Sequence, residues 1–228
     1  MFAISVIHSF ALVHSLALGR CKLKLSALEE TERSLIAAVG GPRAAVYGEI
    51  TADGFQKLAQ HIGLDCADSF IDLGSGEGAI VLQAASEYGV TCSMGVELSP
   101  SRHQAALSAL TRFPAAVRAR STFICGDAAG SGAALDALSR ASVGWCCNMM
   151  FDDSFQRRLA ERIGDHADRM RILVVTMPFP EGVKGFVQAK VPAMCRMSWD
   201  IHNRDHPCVV YVREVYGADR TRDMSPGT

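Results

Sequence analysis

A chain of 228 residues, 49% of them apolar and 21% charged, has the material for one domain with a full core and a short extension, and is not the composition of a disordered chain. Its formal net charge of -1 excludes a global field drawing it to nucleic acid or to an anionic membrane. The eight cysteines show no CxxC and no Cys/His cluster at zinc spacing, and several (Cys92, Cys125, Cys146, Cys147) lie in apolar runs, so reduced, packed thiols in an intracellular protein are expected.

Phe2 to Leu18 is mostly apolar but interrupted by His8, Ser9, His14 and Ser15. It lacks the basic start of a secretory signal and the roughly 20 apolar residues of a membrane span, and reads either as a targeting segment or as a helix packed on the domain. Ser26 to Val39 carries Leu28, Leu35, Ile36 and Val39 among acids and stops at Gly40, Gly41 and Pro42, which predicts a helix. Thr51 opens a second helix, with Phe55, Leu58, Ala59 and Ile62 at helical spacing and Gly63 closing it.

From Ser69 short apolar strands alternate with amphipathic helices. Strands are expected at 70–73, 91–96, 122–125, 143–147 and 172–176, and helices at 79–88, after the cap Ser99-Pro100, at 133–139 and at 155–163. That alternation predicts an α/β fold with a doubly wound, mostly parallel sheet. Residues 189–198 and 208–215 read as two antiparallel strands, and the last dozen residues as a frayed tail.

Asp72-Leu73-Gly74-Ser75-Gly76-Glu77-Gly78 follows a strand and opens a helix, where glycines let the backbone approach a ligand and helix-start N–H groups face it. The loop also fits the GxGxxA of nicotinamide-binding domains, and Glu97 ends the next strand as both readings require. Three details favour a methyl donor, S-adenosyl-L-methionine. Asp72 stands two residues before the first glycine, where a carboxylate meets the methionine end of that cofactor but would be costly beside a pyrophosphate. Gly126-Asp127 puts an acid where an adenine amino group needs an acceptor. No downstream pattern for hydride transfer is visible. Glu97 can accept hydrogen bonds from both ribose hydroxyls.

The string Val46-Tyr47-Gly48-Glu49-Ile50-Thr51, followed by a helix and then Phe70-Ile71-Asp72-Leu73-Gly74-Ser75-Gly76, resembles the Dot-one-type (disruptor of telomeric silencing) histone lysine methyltransferases. The likeness runs on through residues 81–85 and 95–97, and thinly at Asn148 to Phe151, Pro178-Phe179 and Ser198-Trp199. It implies a seven-stranded class I methyltransferase sheet. In that family Tyr47, Glu49 and Thr51 would form a loop over the methionine end of S-adenosyl-L-methionine. Asp72, Gly74, Ser75, Gly76, Gly78 and Gln83 would contact the cofactor, with Glu97 and Leu98 at the ribose and Asp127 and Ala128 at the adenine. Asn148 would sit beside the transferred methyl group, and Phe151, Trp199 and Tyr211 would line a lysine channel. Two departures stand out: Cys147 replaces a usual asparagine, and Ala128 a usual aromatic residue.

The resemblance implies methylation of a globular-core lysine of histone H3 in nucleosomes by a nuclear, monomeric enzyme. A lysine ammonium has no lone pair, and a dry aromatic channel beside a sulfonium disfavours its charged form, so no general base is required. His103 and His202 read as surface residues. Arg157, Arg158 and Arg162 share a helix, but the other cations are dispersed, so DNA contact is expected to be weak or to run through a partner. Two other readings stay open: a class I lysine methyltransferase of a mitochondrial or membrane protein, suggested by the apolar N-terminus and Pro178-Phe179-Pro180, and a cofactor-binding scaffold without activity. The expected division is 1–45 as a helical extension, 46–216 as the methyltransferase domain and 217–228 as a tail.

Overall fold

The computed structural model describes residues 28–46, 48–202 and 204–214. The expectations placed on Phe2 to Leu18, on Tyr47 and on 217–228 fall outside the described residues. Helices α1 (Glu30–Gly40) and α2 (Ala52–Ile62) come first. Then follow β1 (Ser69–Leu73), α3 (Ala79–Gln83) with a π-turn at Ala84–Tyr88, β2 (Cys92–Glu97), α4 (Pro100–Leu110), α5 (Ala115–Arg120) and β3 (Ser121–Cys125). The second half holds α6 (Ala133–Arg140), β4 (Val143–Cys146), α7 (Asp153–His166), β5 (Ile172–Val175), β6 (Phe186–Gln188), β7 (Ala193–Arg196) and β8 (Asp205–Arg213).

Strands β1 to β5 are parallel in the order β3-β2-β1-β4-β5. The second half of β8 pairs antiparallel with β5 and carries β6 on its other side, completing a seven-stranded path; β7 is an eighth strand, attached off that path to the first half of β8. Both faces of β1 are buried, as a parallel strand requires. Phe70 meets Phe55 and Leu58 of α2, while Ile71 meets the cluster that holds Leu159 and Ile163 of α7.

Helix α2 starts and stops where its sequence says. The Thr51 hydroxyl accepts from the Gly54 N–H at 3.1 Å, and Gly63 takes the left-handed conformation at φ 60°. Phe55, Leu58, Ala59 and Ile62 are all buried, each large side chain contributing about 1.5–3 kcal/mol. At the amino ends of the strands Arg171 grips the Asp68 carboxylate at 2.6 and 3.0 Å and also donates to the Ile62 and Gly63 carbonyls. Burial alone would raise the Asp68 carboxyl; hydrogen bonds from Arg171 and Ser142 hold it below the usual range. Cys125 of β3, expected to pack, is exposed, as is Leu35 of α1, and His103 is half-buried with its Nδ1 covered.

Candidate functional site

The sheet order reverses between β1 and β4, and loops at the carboxyl ends of strands on either side of such a point bound a crevice. Its walls are Gly74, Glu97, Leu98, Gly126, Asp127, Ala128, Cys147 and Phe151 from the strand ends. Ile36, Val39 and Gly40 of α1, then Ala44, Val46 and Gly48, close it from outside, with Arg102 and Phe155. Gly74 sits at φ 94°, and a Cβ there would come 3.5 Å from Phe151 Cζ, so a side chain would be strained and would enter the crevice.

The crevice wall carries the Glu97 carboxylate. It is buried and accepts from the Gly76 N–H at 2.7 Å and the Ser99 N–H at 2.8 Å, one bond to each oxygen. Each oxygen keeps a further lone pair. Asp72 is 4% exposed, and burial, then the negative charges of Glu97 and Glu49, push its carboxyl well above the usual range. Ile36, Val39, Ala128, Phe151 and Phe155 make the wall apolar elsewhere, and Asp127 also lines it. Asp127 accepts from the Ala129 N–H at 2.8 Å and faces the Arg158 guanidinium at 3.5 Å.

Two segments far apart in the chain pair next to the crevice residue Gly48. The Thr51 N–H donates to the Arg196 carbonyl at 2.9 Å, Ile50 bridges Met197, and the Ser198 N–H donates to the Glu49 carbonyl at 2.8 Å. The Glu49 N–H in turn reaches the Ser198 hydroxyl at 2.9 Å. This pairing brings Trp199 down onto Gly48. His206 meets the Trp199 indole edge-on at 6.0 Å and 72°.

Other residues singled out in the sequence point elsewhere. The Ser75 hydroxyl is buried beside Gly95 of β2, and Gly78 packs under Phe123 and Ala106. Gln83 donates to the Ala52 carbonyl and the Glu87 carboxylate, tying α3 to the start of α2. Asn148 is fully buried. Its amide donates to Gln156 and to the Met177 carbonyl and accepts from Thr176 and the Met177 N–H, so it clasps the loops after β4 and β5.

Two residues expected in a lysine channel have other contacts. Phe151 lies against Gly74 and Gly40 in the crevice wall and stacks edge-on with Phe155. Tyr211 is 3% exposed, its hydroxyl accepting from the Phe179 N–H at 3.1 Å. The reason is parity: alternate residues of a strand face opposite sides. Cys208 and Val210 of β8 join the cluster holding Ile50 and Met197, whereas Val209 and Tyr211 join the one across the sheet.

The helix cations are engaged within the protein. Arg157 pairs with Glu181 at 2.9 Å, Arg158 with Asp127 and the Val39 carbonyl, and Arg162 with the Ala129 carbonyl. Sequence reasoning missed the α1 wall of the crevice. Ile36 and Val39 were visible as an apolar stripe, but nothing local says that the stripe faces a crevice.

A family model described as "Histone methylation protein DOT1" matches residues 41–181. The chain belongs to that family. It is 29% identical over 145 residues to the "Histone-lysine N-methyltransferase, H3 lysine-79 specific" of Emericella nidulans, a stretch covering 61% of this chain and 29% of that protein. Against the protein of the same description from Drosophila melanogaster it is 35% identical over 69 residues, 29% of this chain and 4% of that one. The chain thus spans less than a third of the length of either relative. Among solved structures, the methyltransferase domain of bacterial CtHen1 superposes with a TM-score of 0.54 at 12% identity, covering 72% of this chain and 99% of that one. MtNAS, crystallised with MTA and tNA, gives 0.54 at 14% identity over 88% and 70%. The fold is the class I methyltransferase fold.

Proposed function

We propose that the chain is an S-adenosyl-L-methionine-dependent protein lysine methyltransferase acting on histone H3. The observation that carries this reading is the crevice lined by Gly74, Glu97 and Asp127 at the carboxyl ends of the strands. Asp72, buried within reach of the Glu97 and Glu49 charges, suits a ligand that brings positive charge, as the ammonium and sulfonium of this cofactor do. The apolar lining, with Asp127 among it, suits a purine with an exocyclic amine. A nicotinamide dinucleotide would set a pyrophosphate against the same acids, which disfavours that reading.

In this assignment Asp72 takes the cofactor ammonium, Glu97 the ribose hydroxyls and Asp127 the adenine, and Gly74 gives the close approach. Glu49 and Thr51 would cover the methionine end, a role the family resemblance gives also to Tyr47. The bound cofactor supplies an activated methyl group. Trp199 and Gly48 shape the entry for the acceptor lysine, and Asn148 acts by holding the loops on which Cys147 and Thr176 stand. Holding the two reactants at near-attack distance supplies most of the acceleration.

The relatives described as H3 lysine-79 specific support nucleosomal H3 as the substrate and the nucleus as the place of action. With Arg157, Arg158 and Arg162 engaged internally, the grip on DNA is assigned to other segments or to a partner. The division into 1–45, 46–216 and 217–228 is kept as a proposal, with the α1 residues of the extension forming one wall of the crevice. No helix among the described residues is long and apolar enough to cross a membrane.

The test is to incubate the purified chain and methyl-labelled cofactor with nucleosomes, free histones and mitochondrial extract. Label on nucleosomal H3 is expected. Label only on a mitochondrial or membrane protein overturns the substrate, and cofactor binding without labelling leaves the scaffold reading.

A further inference from the structure

We propose that His206 is the proton acceptor for the substrate lysine. The inference rests on the methyl-transfer reading above and replaces the base-free deprotonation expected from the sequence with a residue that takes the proton.

Strand β8 runs antiparallel to β5, so its first residues lie at the carboxyl end of β5, the edge of the sheet where the crevice opens. His206 Nε2 lies 3.3 Å from the Thr176 carbonyl oxygen, just beyond β5. A carbonyl only accepts, so in a neutral ring this bond places the hydrogen on Nε2 and the lone pair on Nδ1. Thr176 is the same residue whose hydroxyl bonds the Asn148 carbonyl oxygen, and whose side chain also bonds the Cys147 thiol in the crevice wall. On its other side the ring meets Trp199, which covers Gly48, another crevice wall. One imidazole therefore touches both Trp199, which covers the crevice residue Gly48, and Thr176, which bonds the crevice residue Cys147.

The charged groups around it are already paired. Asp205 is held by Lys57 at 2.5 Å and Arg196 at 3.0 Å, and Asp200 by Arg204 at 3.6 Å with a further bond from the His202 N–H. Glu49 lies on the opposing segment, bonded through its backbone to Ser198. Burial pushes the Cys147 thiol up to about 12, and a hydrogen bond with Cys195, with burial, pushes Cys208 up further, so neither competes as a base at neutral pH.

The step balances simply. The lysine ammonium gives one proton to Nδ1 of His206. The freed nitrogen pair forms the N–C bond as the methyl–sulfur bond breaks, and that bonding pair stays on sulfur. The methylated amine keeps the positive charge, and the imidazolium returns its proton to water.

The experiment compares the full chain with His206→Gln and His206→Tyr, using nucleosomes reconstituted from recombinant histones and following single-turnover rates across pH. In His206→Gln the rate near pH 7.5 should fall about 100-fold, and the gap should narrow to about threefold by pH 10, where lysine loses its proton to solvent. His206→Tyr keeps a ring on Trp199 and should show the same alkaline rescue. Binding of S-adenosylhomocysteine should be unchanged in both. Nitrogen-15 histidine spectra of the wild type should place the His206 hydrogen on Nε2 at neutral pH. A Gln variant whose rate stays parallel to the wild type at every pH, or a hydrogen found on Nδ1, overturns the proposal while leaving methyl transfer intact. A wild type that labels nothing overturns both.

Discussion

Trp199 lies so closely across Gly48 that a Cβ at position 48 would come within 2.5 Å of the indole Cε3. The contact joins residues 151 positions apart and depends on the backbone pairing of Glu49 with Ser198 and of Thr51 with Arg196.

Gly48→Ala is accordingly expected to displace the indole. Overpacking costs about 1–3 kcal/mol, and a shift of about 1 Å at a reacting site costs on the order of 100-fold in rate. Tryptophan fluorescence and turnover should change together. Trp199→Leu in the Gly48→Ala background should recover the lost stability but not the rate.

Asp72 sets a pH dependence whose sign is fixed by its raised carboxyl. The folded protein holds the Asp72 proton to higher pH than the unfolded chain does. Its contribution to stability is therefore present below the unfolded carboxyl range and lost as pH rises through the folded value. Asp72→Asn should raise the melting temperature of the ligand-free protein at pH 7.5 and have less effect near pH 4. The same variant should weaken S-adenosylhomocysteine binding by roughly 10- to 100-fold, the loss expected for one charge-assisted hydrogen bond of about 1.5–3 kcal/mol. Calorimetry in two buffers of different ionisation enthalpy should detect proton release on binding to the wild type and less in the variant.

Asn148→Ala removes four hydrogen bonds inside the protein and leaves the Met177 N–H and carbonyl without their partner. A loss of about 1–3 kcal/mol is expected. At about 2–4 °C per kcal/mol for a domain of this size, thermal melting will register it. Cofactor binding should survive, while turnover falls because Cys147 and Thr176 lose their bracing.

Gly74→Arg should leave the circular dichroism spectrum near native and abolish cofactor binding. The strained φ of 94° and the path toward Phe151 put any side chain in the crevice. Retained binding, read by calorimetry, would show that the ligand does not cross the glycine loop.

Much of the fold was legible because its signals are local. Thr51 and Gly63 bracket α2, Ser99-Pro100 opens α4, and short apolar runs mark β1 to β5. What escaped has no such signal. Strand β6 is three residues long with Val187 and Gln188 exposed, and α5 is a six-residue turn behind Pro114. In the site, Asp72, Gly74, Glu97 and Asp127 announce themselves by position relative to strand ends. Residues that depend on which face of a strand they occupy do not. Tyr211, an approximate match to a channel aromatic, lies on the face of β8 opposite Cys208 and Val210, and His206, an even-numbered position on that strand, meets Trp199. Parity along 205–213 was readable in principle. The register that brings β8 beside β5 comes from pairing across the sheet, which no single segment encodes.

The most direct test of a crevice built for a methyl donor is calorimetric titration of the purified chain with S-adenosylhomocysteine and, separately, with NAD. One site per chain for S-adenosylhomocysteine and no heat with NAD is the predicted result. Binding of NAD in its place, or no binding of either, would contradict the assignment of Asp72, Glu97 and Asp127 to the two ends of this cofactor.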